Sequence, residues 1–247
     1  ASHQLRTPIS VVRTAAQVTL SRHGRTEEEY RESLDMVAKQ AERLTKMVDD
    51  MFILALADAE SRPPQKAPLY LDEVMEDVVE EARLLAAGRA VTLRTESPGE
   101  TPFVGDEHLL RQLFMNLLDN AIRHTPPQGT IVVSLTRDAG SVIAAVTDTG
   151  TGVAPGDGER IFERFVRLDG AGSEAGAGLG LPIAKWIAET HGGTLVLDST
   201  GPYGSRFVLT LPLARADASG PVLEAHGTAI ARPSADFPTP LPSRPLQ

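Results

Sequence analysis

Between Leu34 and Ala55, the residues Leu34, Val37, Ala41, Leu44, Val48, Met51 and Ala55 alternate spacings of three and four. That repeat is the seam of a coiled coil, which seeks a second helix for knobs-into-holes packing. An earlier stripe, Leu5, Ile9, Val12 and Ala16, supplies a partner in the same chain. His23-Gly24-Arg25-Thr26 lies between them, and Thr26 with Glu29 makes a capping box that starts the second helix. The expectation is a helical hairpin over residues 1 to about 60. Two helices alone bury too little surface to be stable, so a homodimer closing a four-helix bundle is the natural remedy. An intramolecular coiled coil against the rest of the chain is the alternative.

The pattern changes after Arg62-Pro63-Pro64-Gln65-Lys66-Ala67-Pro68, a linker signal. Leu71, Val74, Val78, Ala82 and Leu85 mark one helix, residues 107–124 a second and residues 178–191, with Trp186 and Ile187, a third. Strand-like runs lie at Val91–Thr95, Thr130–Thr136, Ser141–Asp148, Thr194–Ser199 and Ser205–Leu211, and Asp138-Ala139-Gly140 joins two of them as a hairpin. Helices and a mixed sheet in this order predict a two-layer α/β sandwich. From Ala214 onward the chain is rich in Pro, Ala and Ser without periodicity, which reads as disorder. The fold class is therefore α+β: a hairpin over 1–62, a sandwich domain over 67–213 and a tail over 214–247.

Composition excludes several functions. The net charge of −9 argues against nucleic acid as a partner. The absence of cysteine removes disulfides and thiolate metal sites. No apolar run approaches the ~20 residues that span a bilayer, and there is no signal peptide. The chain begins inside a helical pattern without an initiator Met, which reads as a piece of a longer protein.

Chemistry concentrates in the second sandwich helix. Asn116 and Asn120 lie one turn apart on one face, while Leu113, Leu117 and Ala121 form a neighbouring core face. Two amides on one face suit a hydrated Mg²⁺ and a phosphate, although a merely solvated face fits the pair equally well. Asp148-Thr149-Gly150-Thr151-Gly152 follows a strand-like run, and Gly176-Ala177-Gly178-Leu179-Gly180-Leu181 precedes a helix. Glycines let backbone approach a phosphate, and a helix N-terminus favours an anion. Neither motif is a P-loop or a dinucleotide fingerprint. The long segment between them, about 153–177, carries Arg160-Ile161-Phe162-Glu163-Arg164-Phe165 and reads as a lid or a disordered loop, with Phe162 and Phe165 either its anchors or simply core residues.

The order of these pieces resembles the N, G1, F and G2 boxes of the sensor histidine kinases of two-component systems. Ser2-His3-Gln4-Leu5-Arg6-Thr7-Pro8-Ile9 resembles their H box. The resemblance covers about residues 1–213. It implies a dimerisation and phosphotransfer hairpin followed by a Bergerat-type ATP-binding domain. His3 would be the phosphoacceptor, with ATP and Mg²⁺ as cofactors and a response regulator receiver domain as partner. Asn116 and Asn120 would hold Mg²⁺, Arg123 would lie near the phosphates and His124 would stand where an aromatic usually packs on the nucleotide. Asp148 would accept from the adenine amine, Gly150 and Gly152 would shape the base pocket, and Gly176, Gly178, Leu179 and Gly180 would free the lid and line the triphosphate. By family habit this region is cytoplasmic, with the full-length protein anchored in the inner membrane through upstream segments.

A neutral imidazole near its ordinary pKa of ~6.5 attacks through Nε2. Pro8 removes a backbone hydrogen bond in the first helix and predicts a kink that lets His3 swing. His23, His108 and His191 lack such a context and read as structural or exposed. The family usually has an acid after the phosphorylated His; here it is Gln4, whose amide orients the ring but takes no proton. A lost general base costs ~10²–10⁴-fold, so autophosphorylation is expected to be slow. Thr7, one turn from His3, would place the water that dephosphorylates the regulator. ATP-hydrolysing relatives of this fold carry a Glu where this chain has Asn116, which favours transfer to His3 over hydrolysis. The alternative is a weak or degenerate kinase acting as phosphatase or dimeric scaffold.

Overall fold

The computed structural model describes residues 2–21, 24, 26–59, 64–138, 140–166 and 177–213; the side chains of 2–4 and 56–59 lie outside that set. The expected tail, His23, Ala139 and Gly176 therefore fall outside the described residues, as do the side chains of His3 and Gln4.

Helices α1 (Ser2–Ser21) and α2 (Glu27–Ala59) form the hairpin. The capping box is present: the Thr26 N–H donates to Glu29 Oε2 at 2.8 Å and the Glu29 N–H donates to Thr26 Oγ1 at 3.3 Å. Helix α1 runs through Pro8 without interruption. Its inward face is Leu5, Pro8, Val12 and Ala15, so two residues of the expected stripe, Ile9 and Ala16, turn out to be exposed. The α2 seam also divides. Leu44 and Met51 are half-buried, and Met47 and Leu54, beside them, are buried. Leu34, Ala41, Val48 and Ala55 face outward in the single chain. Every second residue of the seam thus faces away from α1, and that edge is left for another surface.

The linker is shorter than its prolines suggested. Strand β1 (Ala67–Tyr70) begins at Ala67 and pairs antiparallel with β3 (Pro102–Gly105) in a two-stranded ribbon. Pro68 fits there because such a ribbon has open edges that need no N–H. Helix α3 (Leu71–Ala87) follows directly, and β2 (Thr92–Glu96) lies between it and β3. The α3 stripe ends on buried Ala82 and Ala86, while Leu85 is exposed. Then come α4 (Glu107–His124), β4 (Thr130–Arg137), β5 (Ser141–Asp148), a 3₁₀ turn (Arg160–Phe162), α5 (Gly180–Thr190), β6 (Thr194–Gly201) and β7 (Gly204–Pro212).

The main sheet has the order β2-β4-β5-β7-β6, parallel only between β2 and β4. Its alternation is regular: Ile131, Val133 and Leu135 of β4, and Phe207, Leu209 and Leu211 of β7, point to one buried face. Helices α3, α4 and α5 cover that face, and their apolar stripes share one buried cluster with it. The two-layer sandwich is thus the observed architecture. In the β4–β5 hairpin, Asp138 Oδ1 accepts from the N–H groups of Gly140 and Ser141, both at 2.9 Å. Leu54 of α2 joins the sandwich cluster, so the hairpin's second helix docks on this domain. No helix among the described residues is long and apolar enough to cross a membrane.

Candidate functional site

Helix α4 is fixed at both ends. At its start Asp106 Oδ1 accepts from the Leu109 N–H at 3.2 Å, and Oδ2 accepts from the Gln65 N–H at 2.8 Å. The Asp106 N–H in turn donates to Nε2 of buried His191 at 3.0 Å. Nδ1 of that ring lies 2.8 Å from the Ile187 carbonyl, so the proton sits on Nδ1. His191 is a neutral strut between α4 and α5; burial lowers its pKa. This is the structural role expected for it, and His108 is exposed as expected.

Asn116 is 4% exposed, and its Nδ2 has no hydrogen-bond partner. A buried amide donor left unmade costs about 1–3 kcal/mol, so the position calls for an acceptor from outside the chain. A Cβ on Gly180 would stand 3.6 Å from Asn116 Oδ1, which places this amide beside the first turn of α5. In that turn Pro182 has no N–H and the Ile183 N–H donates to the Leu179 carbonyl at 3.0 Å, so the Gly180 and Leu181 N–H groups make its anion-favouring end. Asn120 is half-buried one turn along α4. Arg123 donates through Nε to Asp119 Oδ1 at 2.8 Å and through Nη2 to Oδ2 at 3.1 Å.

The other wall is the end of β5. Asp148 is 5% exposed; its Oδ1 accepts from the Gly150 N–H at 2.7 Å and the Ser205 N–H at 3.3 Å. Both bonds use one oxygen, leaving Oδ2 for another donor. Burial raises the Asp148 pKa, partly offset by those two N–H groups. The glycines here are steric requirements. A Cβ on Gly150 would lie 2.5 Å from the His124 carbonyl oxygen, and Gly152, at φ +69°, would meet the Gly201 carbonyl at 2.0 Å. The loop is tied to α4 by the Thr151 N–H, which donates to the His124 carbonyl at 3.3 Å, and to β6 by the Val153 N–H, which donates to Thr200 Oγ1 at 2.7 Å. The His124 ring is exposed at this corner. Gly178, at φ +70°, accepts from the Phe165 N–H at 2.9 Å. Phe162 packs edge-on against Phe207. Leu179 is buried among core residues, which leaves only its backbone for a ligand.

Asn116, Asp148, Gly150, Gly152 and Gly180 therefore converge on the C-terminal half of α4, the end of β5 and the start of α5. Ser205 and Thr200 were not legible in the sequence, because one acts through its backbone N–H and the other through a loop contact. Thr7 is exposed and lines a 680 Å³ groove along α1 with Ser10, Val11, Thr14, Val18 and Met36; among the described residues, none of the glycine segments borders it. An orphaned donor, a carboxylate with a spare oxygen and a glycine cradle suit an adenine nucleotide, and the two neutral amide oxygens of the asparagines suit Mg²⁺.

Comparison with known proteins identifies the family. Residues 1–60 match the His Kinase A (phospho-acceptor) domain, and residues 105–215 match the histidine kinase-, DNA gyrase B- and HSP90-like ATPase family. The sensor-like histidine kinase SenX3 of Mycobacterium tuberculosis is 34% identical over 213 residues, 85% of this chain and 52% of that protein. The chain spans about half the length of the curated relatives it matches. Among solved structures, the mycobacterial sensor histidine kinase MprB is 31% identical with a TM-score of 0.53, covering 60% of this chain and 97% of that one. Full-length ShkA in complex with AMPPNP is 28% identical with a TM-score of 0.67, covering 86% of this chain and 44% of that one. This chain belongs to the sensor histidine kinase family and carries its catalytic core.

Proposed function

We propose that the chain transfers the γ-phosphoryl group of ATP to His3 and passes it on to an aspartate of a response regulator receiver domain. The observation that carries this reading is Asn116: buried, unpartnered at Nδ2 and set against Gly180 at the start of α5. Asn116 and Asn120 would hold Mg²⁺, which when bound neutralises charge developing on the phosphates. Asp148 Oδ2 would accept from the exocyclic amine of adenine, Gly150 and Gly152 keeping the base pocket open. Arg123 and His124 would border the nucleotide, with Gly176, Gly178, Gly180 and the Leu179 backbone at the triphosphate.

His3 Nε2 forms the N–P bond as the bond from the γ-phosphorus to the bridging oxygen breaks, and ADP leaves. The Nδ1 proton must then depart; Gln4 orients the ring but accepts no proton, so the step is slow. Thr7 would place water for dephosphorylation of the regulator. The homodimer is supported by the outward apolar edge of the hairpin, where Leu34 is 66% and Phe52 63% exposed. ShkA was solved with AMPPNP, which supports the nucleotide site of its relative here.

Calorimetric titration with MgATP tests the site. Wild type is expected to bind, and Asn116→Ala to weaken binding at least about tenfold, the equivalent of ~1.4 kcal/mol, while keeping its circular dichroism. Equal affinity of the two proteins would refute the assignment.

A further inference from the structure

One ion cluster joins the hairpin to the nucleotide-site helix, and two of its members, Lys46 and Asp119, have no part in the chemistry above. Lys46 of α2 donates to Asp119 Oδ2 at 2.9 Å, and the same carboxylate receives Arg123 at both oxygens. Asp119 thus has two cations, one from each domain. Burial would raise its pKa, but the hydrogen bonds and charges of Arg123 and Lys46 outweigh burial and hold it below the ordinary carboxylate range. Asp119 lies in α4 between the two asparagines of the site, and Arg123 is one turn beyond it.

We propose that Asp119 is a shared counter-ion through which Lys46 tunes the availability of Arg123 to the nucleotide phosphates, making Lys46 a positioning residue for ATP. The inference rests on the ATP-site reading above. With Arg123 drawn onto a phosphate, Asp119 keeps a compensating cation only if α2 stays docked. Without Lys46, Asp119 holds Arg123 more tightly and the phosphates compete less well for it. Docking and nucleotide binding therefore strengthen one another, and the coupling is reciprocal. Lys46 and Asp119 are only partly exposed, 46% and 23% by side chain, so the pair has the strength of a surface ion pair.

The test is calorimetric titration of the whole chain with MgATP and, separately, with adenosine, which has no phosphate for Arg123. Lys46→Met is expected to weaken ATP binding about two- to fivefold and to leave adenosine binding unchanged, while Lys46→Arg restores the ATP affinity. In an Arg123→Met background, Lys46→Met should have no further effect. Equal loss of ATP and adenosine affinity would mean a structural role and overturn the proposal. So would an unchanged ATP affinity in Lys46→Met beside a wild type that binds ATP. A wild type that binds no ATP overturns the site reading and this inference together.

Discussion

A single substitution separates the loop contacts of Asp148 from the adenine contact proposed for it. Its Oδ1 anchors the loop through the Gly150 and Ser205 N–H groups, and its charge is unfavourable in its buried setting. Asparagine keeps the Oδ1 acceptor and removes the charge. Asp148→Asn is therefore expected to gain on wild type as pH rises through and just above the ordinary carboxylate range and to hold that gain beyond it, because a raised carboxyl pKa costs stability once the group ionises. The same change places an amide NH₂ where adenine's amine must donate, so ATP affinity should fall at least about tenfold. Thermal melts and calorimetry on one pair of proteins check both; a coordinated loss of stability and affinity would contradict the division. The asparagine pair and the glycine motifs were legible from residue type and spacing. Ser205 was not, since every residue except proline has the N–H it uses.

At the scale of elements, α2 has two neighbours, α1 and the sandwich domain. Half of the seam meets α1 and the sandwich domain, and the other half faces outward. The three-and-four spacing was readable, but which edge meets which partner depends on a docking that local pattern does not encode. Strands β1 and β3 escaped the sequence for a related reason: each has four residues, includes a proline and is defined by its distant partner. The docking also buries Asp50, whose Oδ1 has no hydrogen-bond partner. Burial, with Asp49 and Asp119 adding to it and Lys46 opposing, pushes its pKa from the ordinary 3.8 up to about 6. Since the folded value lies above the unfolded one, its favourable contribution is complete below about 3.8 and is lost as pH rises through about 6. Asp50→Asn should therefore gain up to about 3 kcal/mol over wild type at pH 8 and little at pH 4. Thermal melts at the two values check this, and a pH-independent difference would contradict it.

For the whole molecule, the architecture assembles a nucleotide site in the sandwich and presents a histidine on a separate hairpin. The sequence order of the motifs was enough to expect both parts. What it could not convey is the contact between them, because Lys46, Asp50 and Asp119 are ordinary surface-type residues until the two parts meet. On the proposed reading Asn116 stands where a hydrolase would need an acid, so water would lack a base and His3 would be the favoured acceptor. The most direct measurement is incubation of the whole chain with ATP labelled at the γ-phosphate, for wild type and His3→Ala. The account predicts slow accumulation of acid-labile, alkali-stable label on the wild-type protein and none on His3→Ala. Free labelled phosphate without labelled protein, or undiminished label on His3→Ala, would contradict it.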